Sequence, residues 1–278
     1  MGKGNNCIEA ESSQLKNLIP MSRMFQQLCT VQSCREVAVK TFLLRFNSPE
    51  IAISAQPGQF VNILAAETGE GPFLRRPFSI SRIKDDIIEI LFHVVGIGTN
   101  LLSQKQAGDR IDVIGPLGQP FHRNVEYDTA LLVAGGIGVA PFPFLTDDLL
   151  KQGRRIETFL GYRNAGQVFS EGLQNVHIAT DDGSDGFHGN VIQFLDSSLA
   201  QYNFGKAKIF ACGPTIMLKA LTELAKRKNM CCEMSLEGQM ACGFGICQGC
   251  AEERADGPAT YVLVCKDGPA FLSTEVNL

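Results

Sequence analysis

Four cysteines near the carboxyl end of the chain restrict its possible folds more than any other feature. Cys242, Cys247 and Cys250 form a C-x4-C-x2-C run, and Cys265 follows after a gap long enough for a hairpin. This is the spacing of plant-type [2Fe–2S] sites, in which four thiolates hold two irons. The spacing therefore predicts a loop that folds around a cofactor, and it implies one-electron chemistry.

The residues between these cysteines favour an iron–sulfur cluster over a zinc ion. Gly243, Gly245 and Gly249 have no side chains that would keep backbone N–H groups away from the sulfurs. Structural zinc sites usually combine two short Cys or His pairs, whereas this segment has one C-x2-C pair and no histidine nearby. A metal-stabilised binding or redox-sensing protein without enzymatic activity remains as an alternative from a different class.

The size and charge of the chain limit its organisation. Its 278 residues, 45% of them hydrophobic, are enough for two domains and a small third unit. The formal net charge of −4 argues against nucleic acid as the main partner. No long uncharged apolar run predicts a membrane span, and the first 20 residues are too polar for a signal peptide, so we expect a cytoplasmic protein.

The pattern of predicted elements changes after Tyr127. Before it, short β-branched or aromatic runs such as Glu36–Phe46 are separated by turn residues, which predicts an antiparallel barrel or sandwich. After it, strands alternate with helices, which predicts a parallel sheet with ligands at the carboxyl ends of its strands. We expect an N-terminal extension, a β-barrel domain, an α/β domain and a C-terminal cluster domain, with the bounds 1–24, 25–124, 125–237 and 238–278.

The segments of the α/β half can be predicted individually from their periodicity. The predicted strands are Ala130–Ala134, Ile156–Tyr162, Val176–Thr180, Lys208–Cys212 and Cys231–Leu236. The predicted helices are Phe142–Gln152, Asn190–Leu199 and Thr215–Lys228.

A cation, a proline and a hydroxyl follow one another in the segment Arg76-Pro77-Phe78-Ser79. On a regular strand, Arg76 and Phe78 share one face, and Pro77 and Ser79 share the other. Arg76 could neutralise a pyrophosphate, and Ser79 could hydrogen-bond the polar edge of a flavin ring. The alternative is an ordinary strand edge that begins with Arg-Pro.

Two glycine-rich segments are candidate phosphate sites. Gly96, Gly98 and Thr99 follow a predicted strand and open a short helix, although a tight turn would have the same pattern. The segment Gly135-Gly136-Ile137-Gly138 joins a buried strand to a helix and could accept the pyrophosphate of a nicotinamide dinucleotide. It is not a G-x-G-x-x-G fingerprint, because Pro141 stands where the last glycine would be.

Asp181 and Cys212 each end a predicted strand of the parallel sheet. Asp181 could contact the ribose or nicotinamide of a dinucleotide, although an aspartate-rich turn is common without any function. Cys212, followed by Gly213 and Pro214, lies at the ligand side of the sheet, where a packing role is an equal alternative. Acidic residues near the ribose would disfavour NADP, but the sequence leaves the choice between NAD and NADP open.

In chain order, five segments resemble the ferredoxin–NADP reductase superfamily: Arg76-Pro77-Phe78-Ser79, Gly96-Ile97-Gly98-Thr99, Gly135-Gly136-Ile137-Gly138, Cys212-Gly213-Pro214 and the cysteine run. The closer resemblance is to the electron-transfer subunits of type B dihydroorotate dehydrogenases, through residues 234–245 and 264–269. It covers about residues 25–273, and the cysteine end is its most specific part.

The resemblance implies a barrel that binds FAD, an α/β domain that binds NAD and a [2Fe–2S] domain. By position, it assigns flavin contacts to Arg76, Pro77, Phe78 and Ser79, flavin phosphate contacts to Gly96, Gly98 and Thr99, and iron ligation to Cys242, Cys247, Cys250 and Cys265. It implies no dedicated acid–base residue, since the redox chemistry belongs to the cofactors.

The resemblance also implies a partner and a direction of electron flow. The partner is an FMN-containing catalytic subunit that oxidises dihydroorotate, in a heterotetramer with two copies of each subunit. Electrons would pass singly from that FMN through the cluster to FAD, and then as a hydride to NAD+, within pyrimidine biosynthesis. The alternative is an NAD(P)H-dependent flavin and iron–sulfur reductase that serves an oxygenase, a ferredoxin or a sulfur-reducing partner.

Overall fold

The fold is that of a computed structural model, which describes residues 23–66, 71–255, 257 and 259–278. Apart from Arg23 and Met24, the N-terminal extension predicted at residues 1–24 lies outside the described residues. No helix in the described ranges combines the length and apolar character needed to cross a membrane.

Six antiparallel strands close into a barrel in the order β1-β2-β5-β4-β3-β6, which confirms the predicted barrel. Side chains such as Val61, Ile63, Ile80 and Ile90 fill its interior and are completely buried. The strands are β1 (Phe25–Ala38), β2 (Thr41–Asn47), β3 (Phe60–Leu64), β4 (Arg76–Lys84), β5 (Ile87–His93) and β6 (Arg110–Leu117), with the helices α1 (Pro49–Ser54) and α2 (Ile97–Ser103) between them.

The prediction of one β run at Glu36–Phe46 is wrong in one respect. The chain turns at Val39 and Lys40, and β1 and β2 pair with Ala38 opposite Thr41. Lys40 adopts a left-handed conformation with φ of 54°. This turn lacks the Asn-Gly or Asp-Gly signature that identifies most two-residue hairpins, so the pattern of apolar residues runs across it unbroken.

The second layer is a seven-stranded sheet in the order β10-β9-β8-β7-β11-β12-β15. All neighbouring strands are parallel except β12 and β15. The strands are β7 (Thr129–Gly135), β8 (Arg155–Tyr162), β9 (Val176–Thr180), β10 (Phe187–His188), β11 (Ala207–Cys212), β12 (Cys231–Ser235) and β15 (Ala270–Leu272), and the helices are α3 (Phe142–Lys151), α4 (Val191–Gln201) and α5 (Thr215–Lys228). The predicted parallel sheet is confirmed.

The direction of strand addition reverses between β7 and β11. In open parallel sheets, a crevice opens at such a switch point beyond the carboxyl ends of the strands. Here those ends are Gly135 and Cys212. The strand order therefore places the glycine loop after β7 next to Cys212 at the end of β11.

The cysteine segment is tied to the sheet by its last strand. Strands β13 (Ala251–Glu253) and β14 (Tyr261–Leu263) form a hairpin, and α6 (Val264–Asp267) carries Cys265. Strand β15 then pairs antiparallel with β12 at the edge of the sheet. The domain bounds stay predictions, and the structure adds that the last segment completes the sheet of the preceding one.

A buried ion pair on the sheet binds the segment that connects β6 of the barrel to β7 of the sheet, through His122. The Lys208 Nζ lies 2.8 Å from the Glu233 Oε2, and their side chains are 1% and 0% exposed. Glu233 also accepts the backbone N–H of His122 at 3.0 Å, and its Oε1 lies 2.7 Å from the His122 Nδ1. Burial alone would raise the pKa of Glu233, but Lys208 and His122 outweigh it and lower that pKa to about 2.

Replacing Lys208 should destabilise the fold strongly. Lys208→Met leaves the Glu233 carboxylate buried without its cation, and breaking such pairs lowers the free energy of unfolding by about 3–5 kcal/mol. Urea denaturation followed by circular dichroism measures the change. The control is Lys206→Met, because Lys206 pairs with Glu126 at the surface, where the two side chains are 57% and 90% exposed.

The pH dependence gives a second check on the same pair. Because the pKa of Glu233 is lower in the folded state, its contribution to stability is complete above the ordinary value of 4.5 and is lost as the pH falls towards 2. The parent protein should lose stability over that range. A Lys208→Met variant as stable as the parent at pH 7 would contradict this account.

Candidate cofactor sites

Two neighbouring cavities lie between the barrel and the carboxyl ends of the sheet strands. The smaller has a volume of about 360 Å³, and the larger has a volume of about 780 Å³. The smaller is lined by six predicted site residues: Arg76, Pro77, Phe78, Ser79, Thr99 and Cys212. The larger is lined by the other four that reach a cavity: Gly135, Gly136, Gly138 and Asp181.

Strand β4 presents its first residues to the smaller cavity. Phe78 is 9% exposed and packs against Phe92 with ring centroids 5.6 Å apart. The pairing of β4 with β5 shifts between Ile80 and Arg82, so the regular alternation ends after Ile80. Ser79 is half-buried and lines the cavity.

Arg76 and helix α2 approach each other beside the smaller cavity. A side chain at Gly98 would come within 2.7 Å of the Arg76 Nε, so glycine permits this approach. The Thr99 Oγ1 accepts hydrogen bonds from the N–H groups of Val95 at 3.0 Å and Gly96 at 3.2 Å, and these bonds cap the N-terminus of α2. Gly96 and Gly98 do not line either cavity.

The glycine loop continues from β7 into a short 3-10 helix, Gly136–Val139. Gly136 has a φ of +54°, a conformation that favours glycine. A Cβ at Gly138 would lie 2.2 Å from the Cys212 carbonyl oxygen, so only glycine lets the loop approach β11 this closely. The loop thereby exposes its backbone to the larger cavity.

Cys212 and Asp181 occupy opposite environments. Cys212 is 3% exposed, and burial raises the pKa of its thiol far above the usual value, with a further increase from the charge of Glu237. The thiol is therefore neutral at physiological pH. Asp181 directly follows β9 and is exposed at the wall of the larger cavity.

Glu237, His93 and Met240 are among the cavity-lining residues that the sequence analysis missed. Glu237 and His93 line both cavities, and Met240 lines the smaller one. The Glu237 side chain is open to solvent through the cavities, yet the protein around it desolvates the carboxylate and raises its pKa. Glu237 could have been predicted from its position, because it comes just after β12, at the carboxyl ends of the strands where ligands bind.

The four cysteines of the C-terminal segment are arranged as two pairs. The Cys250 and Cys265 sulfurs are 3.1 Å apart and are buried, at 3% and 2% exposure. The backbone N–H of Cys247 points to the Cys242 sulfur at 3.5 Å, and Cys247 is exposed. No three His, Cys, Asp or Glu side chains in the described ranges meet as they would around a single metal ion.

The two pairs differ electrostatically. Burial would raise the pKa of Cys242, but backbone N–H groups of Cys247, Phe244 and Ile246 outweigh it and lower that pKa to about 6. Burial and the adjacent Cys250 raise the pKa of Cys265 to about 12. Four thiols in pairs, with N–H donors aimed at a sulfur, fit a two-iron cluster, in which each iron takes two thiolates.

The cysteine loop contacts the barrel through Asn62, a residue without any sequence signal. The Asn62 Nδ2 donates to the Cys242 carbonyl oxygen at 3.0 Å. Phe60, two residues before it, lines the smaller cavity. Because Met240 lines the same cavity two residues before Cys242, the cavity and the cysteine loop are contiguous.

Similarity to known proteins identifies the family. Residues 237–277 match the family model described as the iron-sulfur cluster binding domain of dihydroorotate dehydrogenase B. The chain is 36% identical over 264 residues to the electron transfer subunit of dihydroorotate dehydrogenase B (NAD(+)) from Desulforamulus reducens, which covers 92% of this chain and 99% of that protein. The chain belongs to this electron transfer subunit family.

Other members and solved structures agree with this assignment. The subunit of the same name from Geobacillus thermodenitrificans is 39% identical over 257 residues, covering 90% of this chain and 97% of that protein. An NADH-dependent reduced ferredoxin-NADP oxidoreductase, studied for flavin-based electron bifurcation, is 30% identical with a TM-score of 0.79, and covers 90% of each chain.

A more distant structure shows the fold alone. The ferredoxin NADP+ reductase from Neisseria gonorrhoeae with bound FAD and NADP has a TM-score of 0.61 and 16% identity, covering 73% of this chain and 91% of that chain. The predicted resemblance to both the superfamily and the subunit family is confirmed.

Replacing Gly243 should disrupt the cysteine loop. Gly243 has a φ of +82°, and an added Cβ would lie 2.0 Å from the Asn62 Nδ2. Gly243→Ala is therefore expected to displace the loop from the barrel and to reduce the iron bound per chain by more than half. Iron and sulfide analysis of the purified protein measures the loss.

Gly249→Ala is the matched control in the same loop. Among the described residues, a Cβ there meets only the Cys247 sulfur at 3.7 Å, which is an ordinary contact, and the φ of Gly249 is not in the left-handed region. Equal iron content in the two variants would contradict the steric account.

Proposed function

We propose that this chain is the electron-transfer subunit of an NAD-dependent dihydroorotate dehydrogenase that takes part in pyrimidine biosynthesis. It would receive electrons from the FMN of a catalytic partner and pass them through a [2Fe–2S] cluster and FAD to NAD+. The observation that carries this proposal is the contiguity of the three sites. Met240 joins the cysteine loop to the smaller cavity, and Glu237 and His93 line both cavities.

The smaller cavity is the proposed flavin site. Arg76 is expected to neutralise the flavin pyrophosphate, with Gly96, Gly98 and Thr99 beside it. Pro77, Phe78 and Ser79 would form the wall against the ring, and the Ser79 hydroxyl would bond its polar edge. FAD supplies the ability to accept single electrons and to release a pair as hydride.

The larger cavity is the proposed NAD site. Gly135, Gly136 and Gly138 leave room for a pyrophosphate against the loop backbone. Asp181 carries a negative charge at the cavity wall, which disfavours a 2′-phosphate and therefore favours NAD over NADP. Cys212 would pack as a neutral thiol where the two cavities approach each other, a position suited to the nicotinamide ring.

Cys242, Cys247, Cys250 and Cys265 are the proposed iron ligands, with the first two on one iron and the last two on the other. Their pairing in the structure supports this division. Cys247 is exposed, and the adjacent Ile246 is 76% exposed, so this side of the loop is open to a partner. Electrons arriving from a second subunit would enter here.

The finer assignments are also proposals. We infer a heterotetramer with two copies of each subunit, a cytoplasmic location, and the domain bounds 1–24, 25–124, 125–237 and 238–278. The partner is an FMN-containing catalytic subunit. The names of the relatives support a catalytic partner, since each is called an electron transfer subunit.

The decisive experiment is anaerobic co-purification followed by an activity assay. The chain should copurify with an FMN protein, and the pair should reduce NAD+ when dihydroorotate is added, with little reduction of NADP+. The isolated chain should not oxidise dihydroorotate. A chain that contains FAD and iron but never couples NAD+ reduction to dihydroorotate would contradict the proposal.

A reductase that serves another acceptor is the second candidate. It is favoured by the similarity to the NADH-dependent reduced ferredoxin-NADP oxidoreductase, at 30% identity and a TM-score of 0.79. Such a protein would reduce ferredoxin with NADH or NADPH without any need for dihydroorotate. The same assay with ferredoxin as acceptor therefore separates the two candidates.

Replacing Cys247 should remove the iron–sulfur spectrum and leave the flavin in place. Cys247→Ser removes one proposed ligand, whereas the flavin cavity is lined by other residues. Anaerobic absorption and electron paramagnetic resonance spectra measure both groups. Cys29→Ser is the control, because Cys29 is a buried thiol of the barrel core. An unchanged iron spectrum in Cys247→Ser would contradict the ligand assignment.

A further inference from the structure

We propose that Asn62 is a positioning residue that fixes the cysteine loop relative to the flavin strand and thereby sets how fast electrons pass between the two sites. The inference rests on the proposed function, since it assumes that the loop holds the cluster and that the smaller cavity holds FAD. It assigns a role to a barrel residue that touches neither cavity.

The position of Asn62 is fixed on both sides by strand pairing. It lies on β3, where its partner on β4 is Pro77 of the flavin segment and its partner on β6 is Ile114. Its side chain is completely buried. The acceptor of its hydrogen bond, at 3.0 Å, is the carbonyl of Cys242, which is itself a proposed ligand. One side chain thus connects β3, the strand paired with the proposed flavin segment, to the cysteine loop.

The contact also determines the orientation of one peptide group. The Cys242 carbonyl points to Asn62, and in a trans peptide the N–H of Gly243 must point the opposite way. Gly243 is held at a φ of +82°, and any side chain there would meet the Asn62 amide. Losing the bond would therefore let this peptide rotate next to a ligand.

Stability does not explain the presence of an asparagine here. Its Oδ1 is buried and has no hydrogen-bond partner among the protein atoms of the described residues. A buried polar atom without a partner destabilises the folded state, whereas a leucine, which has the same number of side-chain heavy atoms, would have no polar atom to satisfy. The residue type is therefore better explained by the bond that its Nδ2 makes to the cysteine loop.

The cysteine segment also contacts Gln119, which follows the last barrel strand, β6. This contact includes a backbone hydrogen bond as well as a side-chain one. The Gln119 Nε2 donates to the Lys266 carbonyl at 3.2 Å, but the backbone N–H of Gln119 also bonds the Gly268 carbonyl at 2.6 Å. In the described part of the chain, no backbone hydrogen bond joins residues 240–250 to the barrel. Asn62 thus has no backbone substitute, whereas the Gln119 side chain does.

The test compares Asn62→Leu with Gln119→Leu in the anaerobically purified protein with its cofactors. Both changes remove an amide that donates to a carbonyl of the cysteine segment. Hydrogen exchange of the amides at 242–246 should become at least about tenfold faster in Asn62→Leu and should stay unchanged in Gln119→Leu. The melting temperature of Asn62→Leu should not fall, because the unpaired Oδ1 is removed as well.

Rapid mixing with NADH provides the second readout. Flavin reduction should occur at the parent rate in both variants, because neither residue lines a cavity. The subsequent reduction of the cluster should be about 10- to 100-fold slower in Asn62→Leu only, since small displacements have effects of this size on positioned reactants. Asn62→Asp, which has nearly the same shape but cannot donate, should show the same delay.

The possible outcomes separate this inference from the proposed function. Parent-like hydrogen exchange, or cluster reduction that keeps pace with the parent in both Asn62 variants, would overturn the positioning role. Absence of iron or flavin from the parent protein would overturn the proposed function, and the hydrogen-exchange comparison could still be made. A lower melting temperature with unchanged electron transfer would show a merely structural role and would also overturn the inference.

Discussion

The pairing of β15 with β12 is the constraint on which the arrangement of the three sites depends. Without it, only the chain connection after β12 and apolar packing would hold the cysteine segment against the sheet. With it, Cys265 on α6 is held between the β14 hairpin and the edge of the sheet, where Leu236 donates its N–H to the Pro269 carbonyl at 2.9 Å. The fourth cysteine is thus placed by sheet hydrogen bonds and not by the cysteine loop alone.

Close backbone approaches, more than specific side chains, bring the sites into contact. Gly138 lets the 3-10 helix reach the end of β11, and Gly243 lets the cysteine loop reach the barrel. At each of these positions a methyl group would overlap with atoms from a distant part of the chain. Glycines therefore set the distances between these elements, and side chains such as Arg76 and Cys242 on the same elements are the ones proposed to bind the cofactors.

The sequence predicted those parts of the fold and the site that depend on local pattern. The alternation of strands and helices after Tyr127 is a property of short windows, so strands such as β7 and helices such as α5 were predicted within a residue or two. The turn at Lys40 was missed because its residues do not have the usual hairpin signature. Asn62 and Cys242 are 180 residues apart, and no local pattern indicates that they meet. That Glu237 and His93 line both cavities could not be predicted from local pattern either, because only the folded structure shows it.

The environments of the two cysteine pairs suggest how the loop distributes charge. N–H donors surround Cys242, which makes its thiolate stable near neutral pH, while Cys250 and Cys265 are packed among apolar side chains such as Val264 and Phe271. In the proposed cluster, the N–H groups around Cys242 would stabilise added negative charge more than the apolar surroundings of Cys250 and Cys265. Cys242 is also the cysteine that Asn62 attaches to the barrel. The N–H donors and the contact with the barrel thus lie at the same half of the loop.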